Sequence, residues 1–108
     1  MIAATRKTNG TTIVDVDGHI DLASSPSLRK TLLESLKATD RLAINLGKVK
    51  YIDSSGIASL VEVLKEARNT SKRLFLYGLT AAVREVLQLT RLTGVFEIRE
   101  TEDEVLNA

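Results

Sequence analysis

Polar and apolar positions change period repeatedly along this chain. Residues 11–17 alternate, with Asp15 and Asp17 set against Val14 and Val16, which predicts a strand. Asn9-Gly10 just before it is a hairpin turn signal and predicts that residues 2–8 pair back antiparallel. Gly18 is expected to break the strand, and His19-Ile20-Asp21-Leu22 to lead into a helix. That helix is predicted to start with Ser25 as N-cap and Pro26 in the first helical position. Leu28, Leu32 and Leu36 then form a stripe at four-residue spacing through about residue 38.

The pattern repeats downstream. Residues 42–46 are short and apolar, as in a buried strand. A helix is predicted at about 57–70, with Ile57, Leu60 and Leu64 facing the core and Glu62, Lys65 and Glu66 outside. Residues 73–77 predict another strand, closed by Gly78, after which Thr80 caps a helix carrying Val83, Val86 and Leu87 and ending near Gly94. Residues 95–98 predict a last edge strand, and Thr101-Glu102-Asp103-Glu104 has the form of a capping box opening a short helix. Strands alternating with helices require crossovers onto one sheet, parallel in its centre and made mixed by the initial hairpin. The class is α/β in a single domain, residues 1–108.

Composition narrows the functions available. Hydrophobic residues make up 44% of the 108, enough for one packed core, but aromatics make up only 4%, so no stacking platform for single-stranded nucleic acid is visible. Fifteen basic against fourteen acidic residues give a formal charge of +1, without the basic balance of a duplex-binding face. Lys48 and Lys50 form a local basic spot that reads as solvated surface. The absence of cysteine removes disulfides, thiol nucleophiles and thiolate metal sites. The first residues lack the apolar core of a signal peptide, and no apolar run approaches the roughly 20 residues that span a bilayer. A cytoplasmic, monomeric domain is the expectation.

One segment stands out chemically: Asp53-Ser54-Ser55-Gly56, where strand turns into helix. Backbone N–H groups and the helix dipole favour an anion there, so a serine could accept phosphate without loss of the fold. By spacing alone the same residues also suit an ordinary N-cap with a glycine easing the turn. A serine at such a turn raises the question of a hydrolase, but Gly-x-Ser-x-Gly is absent and His19 is the only histidine. Phosphate-cradling glycine loops are also absent, and Asp15, Asp17 and Asp21 do not match a calcium loop. Neither an enzyme nor a cofactor is expected.

The arrangement of Gly18-His19-Ile20-Asp21, Ala43-Ile44-Asn45-Leu46 and Val49 through Leu60 resembles the STAS family of anti-sigma factor antagonists. Leu74-Phe75-Leu76-Tyr77-Gly78, Val83-Arg84-Glu85-Val86-Leu87 and Leu92-Thr93-Gly94-Val95-Phe96 extend the resemblance over essentially the whole chain, roughly residues 5–106. It implies a small mixed sheet with helices packed mainly on one face. It also implies a partner switch in which Ser54, the first serine after the aspartate, is the phosphoacceptor. Unphosphorylated, such a protein captures an anti-sigma factor that is also a serine kinase of the histidine-kinase-like ATPase type; phosphorylation releases it, and a PP2C-type phosphatase restores it. ATP and magnesium belong to the kinase.

The resemblance further places His19, Ile20 and Asp21 beside the phosphoacceptor, in a binding surface with Asp53, Ser54, Ser55 and Gly56. Asp53 either bonds the turn or orients Ser54, Ser55 caps or stabilises the turn, and Gly56 permits close approach of another backbone. The rival within the fold is a cytoplasmic accessory subunit of a membrane lipid or anion transport system. A receiver domain shares the alternating pattern but needs an acidic pair and a later lysine that Asp53 alone does not supply.

Overall fold

The computed structural model describes residues 1–108. Five strands, β1 (Ile2–Thr8), β2 (Thr11–Ile20), β3 (Arg41–Ile52), β4 (Arg73–Tyr77) and β5 (Glu97–Arg99), lie side by side in sequence order. β1 and β2 pair antiparallel across the Asn9-Gly10 turn, and every later pair is parallel. The connections are α1 (Ser25–Lys37), α2 (Ser54–Asn69) and α3 (Ala81–Leu89), and α4 (Glu102–Leu106) closes the chain.

The apolar stripes meet as their spacing requires. Leu28, Leu32 and Leu36 of α1 join Ile57, Leu60, Val63, Leu64 and Ala67 of α2, and Val83 and Leu87 of α3, over one sheet face. Val14, Val16 and Ile20 of β2 and Leu42, Ile44, Leu46, Val49 and Ile52 of β3 supply that face. The expected one-sided packing of helices is therefore present. The opposite face holds a smaller cluster of Ile13, Ala43, Phe75 and Tyr77, over which α4 places Val105. Three guanidiniums, of Arg41, Arg73 and Arg99, stand 5.0, 4.7 and 5.7 Å from the centre of the Phe75 ring on this face.

Several boundaries differ from expectation. Gly18 does not end β2: it takes φ +99° inside the strand, where the pairing with β3 shifts register, and the strand runs on to Ile20. β3 extends past 46 to Ile52, so Ile20 and Ile52 lie opposite each other. α2 begins at Ser54, three residues early, and α3 ends at Leu89, well before Gly94. β5 occupies 97–99 in place of 95–98, because Phe96 turns into the main core. The N-cap of α1 is Ser24 and not Ser25; Ser25 is already helical. The capping box at Thr101 and Glu104 is formed.

Besides the buried Val105, polar contacts hold α4. Arg6 donates to Asp15 at 2.7 and 3.2 Å and pairs with Glu102, which also accepts from Tyr77 Oη at 2.9 Å. The hydrogen bonds from Arg6 hold both carboxyls below their usual range, while burial and then Glu102 push the Tyr77 phenol up. Because both carboxyl pKa values are lowered by folding, their contribution is complete above the ordinary carboxylate range and is lost as pH falls through the lowered values. The pairs are partly solvated, so α4 should loosen without global unfolding. Hydrogen exchange should show the Val105 amide losing protection below about pH 4 while amides of β2 and β3 keep theirs. Arg6→Met should produce the same selective loss at neutral pH.

Gly56 decides how closely α2 approaches the sheet. A Cβ there would lie 2.6 Å from Ile20 Cγ2 and 2.6 Å from Ile52 Cγ1, atoms of stiff β-branched side chains. Gly56→Val should therefore cost about 1–3 kcal/mol through overpacking and lower the thermal midpoint by roughly 4–8 °C for each kcal/mol. An unchanged midpoint in thermal denaturation would show that this contact does not set the helix position.

Candidate functional site

The site begins where β2 and β3 end together. The Asp53 N–H donates to the Ile20 carbonyl at 3.1 Å, tying the start of α2 to the last residue of β2. Asp53 is extended (φ −104°, ψ −174°) and caps α2 through Oδ1, which accepts from Ser55 N at 2.9 Å and Gly56 N at 3.2 Å. The same oxygen accepts the Ser55 hydroxyl at 2.5 Å. That hydroxyl first, then the backbone N–H groups of Gly56, Ser55 and Leu22, hold the Asp53 carboxyl below its usual range. Asp53 is thus the turn-bonding cap, one of the two roles open in the sequence.

The adjacent serines separate. Ser54, the first residue of α2, is exposed and its hydroxyl has no hydrogen-bond partner within the chain. Ser55 is half-buried between α1 and α2, donating to Asp53 and accepting from Ser25 Oγ at 3.2 Å. An exposed hydroxyl at the positive end of a 16-residue helix, beside an ionised carboxylate, is reachable by a second protein and sensitive to added charge.

The preceding loop forms the rim. The Asp21 carboxylate accepts from Ala23 N at 3.1 Å and Ser24 N at 3.0 Å, and Ser24 Oγ donates to the His19 carbonyl at 3.1 Å. His19 packs edge-on against Tyr51, with ring centres 6.0 Å apart. His19 and Asp21 therefore stand at the expected end of the sheet. Ile20 does not belong to a binding surface: it is 0% exposed and lies under Gly56. The role expected for Gly56 changes with it, since the close neighbours are isoleucine side chains of this chain and not another backbone.

Two rim residues escaped the sequence reading. Leu22 is 76% exposed and Tyr51 is 49% exposed, flanking the turn with apolar surface. A large apolar residue inside the polar loop Asp21-Leu22-Ala23-Ser24 was the available signal for the first; Tyr51 was hidden in the length of β3. Asp15 and Asp17 take no part, Asp15 being bonded to Arg6 and Asn45 on the opposite sheet face. No helix is long and apolar enough to cross a membrane.

Comparison with known proteins identifies relatives of this chain. The anti-sigma-B factor antagonist of Listeria monocytogenes is 31% identical over 91 residues, covering 83% of this chain and 80% of the relative. The structure of an anti-sigma factor antagonist from Mycobacterium paratuberculosis superposes with a TM-score of 0.89 at 22% identity, covering 98% of this chain and 91% of the other. SpoIIAA, a Bacillus cell fate determinant, matches at 19% identity in its unphosphorylated form (TM-score 0.80, 98% and 94% of the two chains) and its phosphorylated form (0.74, 98% and 97%). The STAS domain family profile matches residues 3–105. With nearly its whole length inside that match, the chain belongs to the STAS domain family.

Proposed function

We propose that this protein is an anti-sigma factor antagonist switched by phosphorylation at Ser54. The observation that carries the reading is the free, exposed Ser54 hydroxyl at the start of α2, next to a serine that is already bonded on both sides. The names of the Listeria relative and of the structural neighbours support it. Unphosphorylated, the chain offers His19, Leu22, Tyr51 and Ser54 to an anti-sigma factor, which then releases its sigma factor. The anti-sigma factor is also the serine kinase, and a PP2C-type phosphatase removes the mark; the antagonist carries no cofactor of its own.

The physics of the switch is local. A phosphoryl group adds about −1.5 to −2 charges at neutral pH. The end of α2 offsets part of that charge, but Asp53 is held ionised beside it and repels it. Added bulk and a dianion in the centre of a contact surface oppose docking, since desolvating an unpaired charge is costly.

Binding of the anti-sigma factor to unmodified protein, to protein phosphorylated on Ser54 and to Ser54→Ala tests the reading. Phosphorylation should weaken binding about 5–150-fold, and Ser54→Ala should bind like the unmodified form while accepting no phosphate. A phosphorylated form that binds as tightly as the unmodified one would overturn the switch.

A further inference from the structure

Ser54 and Ser55 are neighbouring hydroxyls on one helical turn, and the fold treats them oppositely. Ser55 gives its proton to Asp53 Oδ1 at 2.5 Å, while its oxygen accepts from Ser25 Oγ at 3.2 Å. Ser25 is 3% exposed and stands in the first turn of α1, with its N–H donated to the Asp21 carbonyl at 2.8 Å. Beneath the pair, the buried Ser59 hydroxyl lies 3.0 Å from the Ser55 carbonyl and 3.4 Å from the Ser25 carbonyl, bracing both backbones. A hydroxyl has one proton and two lone pairs. Ser55 is therefore left with no proton to donate elsewhere.

The geometry points to Ser25 as a positioning residue that makes Ser54, and not Ser55, the phosphoryl acceptor. This rests on the phosphorylation switch proposed above. In the transfer, Ser54 Oγ forms a bond to the γ-phosphorus of a nucleoside triphosphate held by the kinase. The bond from that phosphorus to the β,γ-bridging oxygen breaks, nucleoside diphosphate leaves, and the hydroxyl proton passes to a base on the kinase. The attacking oxygen must come into line with the leaving oxygen and release its proton as it does so.

Ser54 meets that demand without disturbing anything inside the chain. Ser55 meets it only by breaking its bond to Asp53 and leaving the Ser25 hydroxyl buried without an acceptor, and orphaned buried donors are costly. Ser25 never touches the phosphoryl group. It acts through Ser55, from a helix whose start is 30 residues away along the chain.

The test measures phosphate incorporation with the anti-sigma factor kinase and magnesium ATP, mapped to individual serines by fragment-ion mass spectrometry. Wild type should be modified on Ser54 alone, and Ser54→Ala should incorporate almost nothing. The double variant Ser25→Ala/Ser54→Ala should incorporate phosphate at Ser55 at least about five-fold faster than Ser54→Ala, the equivalent of one ordinary hydrogen bond. A merely structural role for Ser25 would lower the thermal midpoint without directing phosphate to Ser55, so the gain at Ser55 separates the two. Equal rates in the single and double variants, with wild type still modified on Ser54, would overturn the role of Ser25 and leave the switch standing. A wild type that takes no phosphate on Ser54 would overturn the switch, and the selection with it.

Discussion

The seating of the first turn of α2 on Ile20 and Ile52 is the constraint on which the rest of the site depends. Those two side chains sit opposite each other at the ends of β2 and β3, and only a residue without Cβ fits above them. Gly56 lets the helix descend far enough for Asp53 to bond the end of β2 and cap α2 at once. From that depth the helical rotation does the rest: Ser54 turns out to solvent and Ser55 turns in toward α1. A shallower helix would lose the tie to Ile20 and blur the distinction between the two hydroxyls.

The electrostatics of the turn follow from the same seating. Asp53 is drawn into bonds with a hydroxyl and backbone N–H groups, each of which favours its ionised form. The helix start is thereby already partly neutralised, and under the proposed switch a phosphoryl group on Ser54 would meet a standing negative charge. Leu22 and Tyr51 expose apolar surface on the segments next to this turn, so a partner docked on both, as proposed, would also cover Ser54. Charge placed at the centre of an apolar contact is a far larger perturbation than the same charge on open surface. The opposite sheet face is organised differently, with one buried valine and a set of ion pairs holding α4, and contributes nothing to the turn.

Most elements were legible because their periods are strong. The leucine spacing of α1, the Asn9-Gly10 turn and the Thr101–Glu104 capping box each carry their structure in a few local residues. The errors cluster where tertiary pairing overrides local preference. Gly18 looked like a stop, but its pairing with Val49 of β3 carries β2 through it with a shift of register, after the pairing with β1 has ended at Asp17. β3 looked short because its second half is polar on one side, and its pairing with β2 keeps it extended to Ile52.

The site divides in the same way. Sequence by itself determined that Asp53-Ser54-Ser55-Gly56 opens a helix after a strand, because a capping carboxylate, two hydroxyls and a glycine act over four consecutive residues. The family resemblance put His19 and Asp21 in a loop beside that turn; Asp21 does follow the end of β2, but His19 is still in the strand, paired with Tyr51. Only the tertiary structure decided that Ile20 is buried, that Leu22 and Tyr51 form the rim, and that Ser25, expected as the N-cap but lying one position past it, reaches across to Ser55. The physical reason is range: caps and turns are satisfied within a few residues, whereas burial and the partner of a hydroxyl on α1 are set by segments that meet only when the sheet and its helices have packed.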